Sequence, residues 1–164
     1  GVYLGQGCYG SAYKYNDEYG NFRVAKIYHP KYIPEQYIDP QNNIAQSSIN
    51  LVERNARVWN DVYKKLDLVK EATAVAYLNQ EMNGQDFDVL DMPFMRGSKI
   101  TDKDAIDANK YFIRKTGREM LDAFSPGNIK QITRKGKHIY VPVDIDRMVL
   151  IGKRKKSFYS VNIP

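Results

Sequence analysis

The chain has 164 residues, with 25 Lys and Arg against 19 Asp and Glu, for a net charge of +6. That length suits one domain or at most two very small ones, and 43% hydrophobic with 27% charged residues is a globular rather than a disordered composition. No apolar run reaches membrane-spanning length, the single cysteine, Cys8, leaves no internal disulfide, and a chain that begins at Gly1 without a signal-like segment reads as a fragment.

Residues 3–15 predict two short strands around a glycine turn, with Tyr13 and Tyr15 alternating with Ala12 and Lys14. The turn Asp17-Glu18-Tyr19-Gly20-Asn21 leads to a strand over 22–28. Pro30, Pro34 and Pro40 predict a loop over 29–43. Ser47 or Ser48 then caps a helix whose apolar stripe is Ile49, Val52, Ala56, Trp59 and Tyr63. Strands over 73–78 and 86–92 flank Asn83-Gly84. Thr101 with Asp104 opens a second helix to about Leu121, with Ile106, Ile113 and Met120 toward the core. The turn Ser125-Pro126-Gly127-Asn128 precedes strands near 129–133 and 138–143, with Gly136 between them. An apolar piece over 148–151 precedes the basic run Lys153-Arg154-Lys155-Lys156. Strands, helix, strands, helix, strands is an α+β layout, not an alternating parallel one.

Gly5, Gly7 and Gly10 form G-x-G-x-x-G, in which backbone N–H groups can approach phosphates. A dinucleotide-binding loop would open a helix at the third glycine, and a Walker loop would follow its last glycine with Lys. Here Ser11 follows, in a segment that reads as a strand. The protein-kinase pattern asks for strand, glycine turn and a small apolar residue two places after the third glycine, which is Ala12. A glycine-rich hairpin without a ligand is the remaining reading.

Lys26 ends Val24-Ala25-Lys26 on a predicted strand, where a kinase lysine contacts nucleotide phosphates, although the usual spacer between Ala and Lys is missing. Glu53 lies four residues after Ile49 and three before Ala56, hence on the apolar stripe, where a charge needs a partner. Lys26 is the expected partner, and Glu35 is the alternative carboxylate. The strand ending Asp91-Met92-Pro93-Phe94-Met95-Arg96-Gly97 reads as a connector over which a base could lie, or as a plain core strand with a turn. In the first reading Met92 is the gatekeeper and the backbones of Pro93, Phe94 and Met95 face the base, Pro93 having no N–H to donate.

Asp122 and Asn128 resemble a catalytic loop, in which an Asp accepts a hydroxyl proton and an Asn binds Mg²⁺. Pro126-Gly127-Asn128-Ile129 matches its end, but Asp to Asn is i+6 rather than the usual i+5, and no His-Arg precedes the Asp. Asp144 follows Asn128 by sixteen residues at the end of an apolar strand and is the expected second Mg²⁺ ligand, with Asp146 as the alternative. Neither His29 nor His138 has a zinc-ligand pattern.

The ordered set from Gly5 to Asp144 resembles a protein kinase spread over the whole chain. Its brevity, the segment Trp59-Asn60-Asp61-Val62-Tyr63 and the Pro-Val-Asp ending resemble the compact effector kinases that bacterial pathogens inject into host cells by type III secretion. Among these it is most similar to the HopBF family, minimal protein kinases that phosphorylate and inactivate the eukaryotic heat-shock protein 90 chaperone. The resemblance implies a minimal two-lobed fold: a β-rich N-lobe over 1–92 with one helix, a hinge over 93–97 and a much reduced helical C-lobe over 98–164. It implies Mg²⁺-dependent transfer from ATP to a host-protein Ser or Thr in the host cytoplasm by a monomer, and the short stretch after Asp144, with no room for an activation segment, predicts constitutive activity. Two alternatives stand beside it. One is a catalytically impaired pseudokinase that binds a host protein or nucleic acid, the latter disfavoured by the modest charge and the lack of an aromatic-basic RNA motif. The other is a small-molecule phosphotransferase, disfavoured by the twenty residues left after Asp144.

Overall fold

Aromatic and β-branched residues at alternate positions pair the first three strands in antiparallel register. They are β1 (Val2–Gln6), β2 (Gly10–Asn16) and β3 (Phe22–Tyr28). The computed structural model describes residues 1–7, 9–28 and 37–151, and divides the chain into the units Gly1–Phe94 and Met95–Pro164. Expectations that fall on Cys8, His29, Pro30, Pro34, Glu35 and the basic run 153–156 lie outside the described residues.

Part of the expected 29–43 loop is a hairpin, β4 (Tyr37–Asp39) with β5 (Ile44–Gln46). Pro40 sits in its turn, where a missing N–H costs no ladder bond. Helix α1 (Ser48–Lys65) follows, its N-terminus capped by Ser47, whose side chain accepts the Asn50 N–H. Strands β6 (Val75–Met82) and β7 (Gln85–Pro93) turn at Asn83-Gly84, both with positive φ, as a two-residue hairpin requires. The sheet order is β1-β2-β3-β7-β6, and α1 packs against β7, β6 and β4.

The core of this unit is the α1 face carrying Leu51, Val52, Val62 and Tyr63, all fully enclosed, each stabilising the fold by roughly 1.5–3 kcal/mol. Trp59 stacks on Tyr63 at 4.2 Å and donates its indole N–H to the Glu71 carbonyl. The buried carboxylates of this unit are partnered. Asp88 accepts from Ser48 Oγ and from the Asn79 N–H. Asp91 accepts from the Tyr15 hydroxyl and from Arg23 Nε at 2.5 Å. Burial first, and then the Asp91 carboxylate, push the Tyr15 hydroxyl up to about 12. The folded state therefore holds this proton more tightly than the unfolded chain, so this contribution to stability falls as pH rises from the usual 10 through 12.

In the second unit, β8 (Ser98–Lys99) leads to α2 (Asp102–Thr116), which opens with the expected capping box between Thr101 and Asp104. The helix stops five residues before the expected Leu121, because Gly117 takes a left-handed conformation, φ 72°, and ends it. The residues beyond form β9 (Arg118–Met120), paired with β12 (Met148–Leu150). The buried face of α2 is Ala105, Ala108, Asn109, Phe112 and Thr116, so Ile106 is exposed and Ile113 half-exposed, while Met120 is buried on a strand. Strands β10 (Ile129–Arg134) and β11 (Lys137–Pro142) form a hairpin turning at Lys135-Gly136, and β8 adds to β10. Among the described residues no helix is long and apolar enough to cross a membrane.

Candidate functional site

The glycine segment is strand, turn, strand. The Gly7 N–H donates to the Gly10 carbonyl at 2.9 Å, and Gly10 opens β2 rather than a helix. That removes the dinucleotide-binding and Walker readings, both of which seat phosphate on a helix N-terminus. Gly10 is demanded by packing: a Cβ there would stand 2.2 Å from the Ile27 carbonyl oxygen on β3. Gly7 meets nothing within 4 Å, so its absent side chain leaves open space over the turn. Gly10→Ala is expected to destabilise the protein by about 1–3 kcal/mol through overpacking, and Gly7→Ala by under about 0.5 kcal/mol, in paired denaturant titrations.

The β2–β3–β7 register sets Lys26 opposite Ala12 and Leu90, and Val24 opposite Lys14 and Met92. Alternate residues share a face, so Gly10, Ala12, Lys26 and Met92 lie on one face of the sheet. The α1 helix lies on that face, where Asn55 Nδ2 donates to the Tyr28 hydroxyl at 2.9 Å. The Lys26 ammonium sits 5.1 Å from the centroid of the Tyr28 ring.

Glu53 does not belong to the buried stripe. Its side chain is exposed, and among the described residues no ion pair joins it to Lys26. The reason is helix phase: Leu51, Asn55, Val58 and Val62 are buried together with Val52, Ala56, Trp59 and Tyr63. This pulls the centre of the buried face away from Ile49 and turns Glu53 outward. Glu53→Gln is expected to leave Mg-ATP affinity within about twofold, since an exposed charge contributes little. The residue that the sequence reading missed is Asn55, fully buried on the helix face. Nothing local in the sequence marks it, because its partner Tyr28 is 27 residues away in the chain.

In the connector, Met92 and Met95 are buried. The Phe94 N–H donates to the Phe22 carbonyl at 3.1 Å, and the Met95 carbonyl accepts from Lys130 Nζ at 3.0 Å. Two of the backbone groups expected to face a base are thus committed internally, and Pro93 has no N–H. The Lys14 ammonium lies 4.3 Å from the Phe22 ring and 4.2 Å from the Phe94 ring, a contact that no sequence spacing announces.

In the second unit the hairpin register explains the sixteen-residue spacing. Ile129 pairs with Pro142, so the next pair outward is Asn128 and Val143. The Asn128 carbonyl accepts the N–H groups of Val143, at 2.8 Å, and Asp144, at 3.4 Å. Asn128 Nδ2 donates to the Asp122 carbonyl at 3.1 Å. These contacts bring the main chain of Asp122, Asn128 and Asp144 to one end of the hairpin, with the 121–128 loop closed on itself by the Asn128 amide. The Asp144 carboxylate is oriented by accepting the Asp146 N–H at 3.0 Å, while Asp146 itself is buried.

An amide oxygen and a carboxylate are hard oxygen donors, the type that Mg²⁺ takes. Among the described residues no group of three or more His, Cys, Asp or Glu could hold a metal ion; Asn128 with Asp144 is a smaller set, and one of its donors is an amide. Asn109, buried on α2, holds the approach to the loop: its side chain accepts the Met120 N–H at 2.7 Å and donates to the Met120 carbonyl at 2.8 Å.

No family model, curated protein or solved structure matches the chain.

Proposed function

We propose that the protein is an ATP- and Mg²⁺-dependent protein serine/threonine kinase of minimal two-lobed form. The observation that carries the reading is the main-chain meeting of Asp122, Asn128 and Asp144 at the open end of the β10–β11 hairpin, with the Asn128 amide tied to the Asp122 carbonyl. The first unit supports it independently: a glycine hairpin ahead of a third strand that carries Lys26, followed by a helix packed on the lysine's face of the sheet.

In this reading Gly5, Gly7 and Gly10 let backbone N–H groups approach the phosphates, and Lys26 neutralises them. Asn128 and Asp144 would hold the metal. Bound Mg²⁺ supplies charge neutralisation for the oxygens of the transferred phosphoryl group. Asp122 takes the proton of the attacking hydroxyl as the new O–P bond forms and the bond to the ADP leaving oxygen breaks. Met92, on the Lys26 face of the sheet, is the candidate contact for the base. The resemblance to HopBF kinases makes heat-shock protein 90, met in the host cytoplasm after secretion, the first substrate to test.

Incubation of the full chain with radiolabelled ATP, Mg²⁺ and a eukaryotic lysate is expected to label protein on Ser or Thr, and chelation by EDTA to abolish it. Label confined to small molecules would replace the substrate class, and absence of label would overturn the enzyme. The i+6 spacing and the exposure of Glu53 favour one second reading, a pseudokinase that binds host protein. It is distinguished by Mg-ATP binding without transfer in the same preparation.

A further inference from the structure

We infer that Tyr28 and Asn55 are positioning residues for Lys26, holding its ammonium for phosphate through a ring face. The inference rests on the kinase reading of Lys26 and adds to it the means by which the lysine is held. Tyr28 is fully buried and ends β3, two residues after Lys26 and on the same face. Its ring takes the Lys26 ammonium at 5.1 Å from the centroid, within the range at which a cation is drawn to the negative face of an aromatic ring. A ring can hold a cation in place only if it is itself fixed, and contacts from two elements fix this one. Asn55, fully buried on α1, donates to its hydroxyl, and the Asn55 Oδ1 in turn accepts from Arg54 Nη1 at 2.8 Å. The Tyr37 ring on β4 packs against it at 6.2 Å, and Tyr9, in the glycine turn, packs on Tyr37 at 5.3 Å.

The ladder Tyr9–Tyr37–Tyr28 therefore joins the glycine turn, the 37–46 hairpin and α1 to the lysine. These are the parts of the unit that must keep a constant geometry if turn N–H groups and an ammonium are to meet the same phosphates. One link from helix to lysine, which an exposed Glu53 does not make, runs through Asn55 and the Tyr28 ring. An aromatic face suits the task because it lowers the ammonium's freedom without neutralising the charge that the phosphates need.

The test replaces residue 28 in the full chain by phenylalanine and by a graded series of ring-fluorinated phenylalanines, which keep shape while weakening the ring's negative face. The probe is a fluorescent ATP analogue with Mg²⁺. Tyr28→Phe, which removes the hydroxyl that Asn55 holds, is expected to bind about threefold more weakly than the native chain, and the most fluorinated ring about tenfold more weakly again. In a Lys26→Met background the series is expected to be flat, because the ring then has no cation to hold. A flat series with Lys26 present overturns the inference while leaving the kinase reading intact, and a slope that persists without Lys26 shows a merely structural ring and also overturns it. Failure of the native chain to bind Mg-ATP overturns both readings together.

Discussion

Asp144→Asn is expected to lower phosphoryl transfer by about a thousandfold while the protein stays folded, which is what removal of one charge-stabilising group from a preorganised site costs. The substitution is nearly isosteric, and the new amide oxygen can still accept the Asp146 N–H that orients the native carboxylate. The Val143 and Asp144 N–H groups keep their bonds to the Asn128 carbonyl, since these are main-chain contacts. Only the negative charge is lost, and with it the stronger of the two oxygen donors proposed for Mg²⁺. Initial rates with radiolabelled ATP, measured beside a thermal melt, check the expectation. Undiminished transfer by a protein with a native melt would remove Asp144 from the metal site.

The largest expected effect on stability is at Asn109. Asn109→Leu leaves the buried Met120 N–H and carbonyl without the two bonds that Asn109 now makes, each unsatisfied group costing about 1–3 kcal/mol. A loss of about 3–5 kcal/mol is a large share of an ordinary domain's stability of about 5–15 kcal/mol. For a chain of this size it corresponds to a melting temperature lower by roughly 10 °C. Transfer activity should fall with it, because Met120 is two residues before Asp122 and its backbone sets where the 121–128 loop begins. Scanning calorimetry of the variant measures the shift, and an unchanged melt would show that Asn109 is not what anchors β9.

Both predictions rest on features of unequal legibility. Asn128 and Asp144 stand out in the sequence because their spacing is local: a two-residue turn between six-residue strands returns the chain to the Asn128 carbonyl. The capping box at Thr101 and Asp104 is equally local, as are the strand–turn–strand patterns around Gly7 and Asn83-Gly84. Asn109 and Asn55 were not legible. Each is a polar residue on an otherwise ordinary amphipathic helix, and its partner, Met120 or Tyr28, is 11 or 27 residues away in the chain. The hairpin over 37–46 was hidden by Pro40, a loop signal that here marks the turn of a hairpin.

The sequence by itself determined the elements whose hydrogen bonds close within a few residues, the α+β order of those elements, and the glycine and acidic positions that make a phosphate-transfer reading worth testing. Tertiary structure decided which way each helix faces. An α-helix carrying apolar residues on more than half its circumference can turn several faces inward at similar cost, and long-range contacts choose among them. In α1 the choice fell to the Tyr28 hydroxyl and the Asp88 carboxylate, which take Asn55 and Ser48 from the helix. That rotation puts Glu53 in solvent and leaves Lys26 against an aromatic ring.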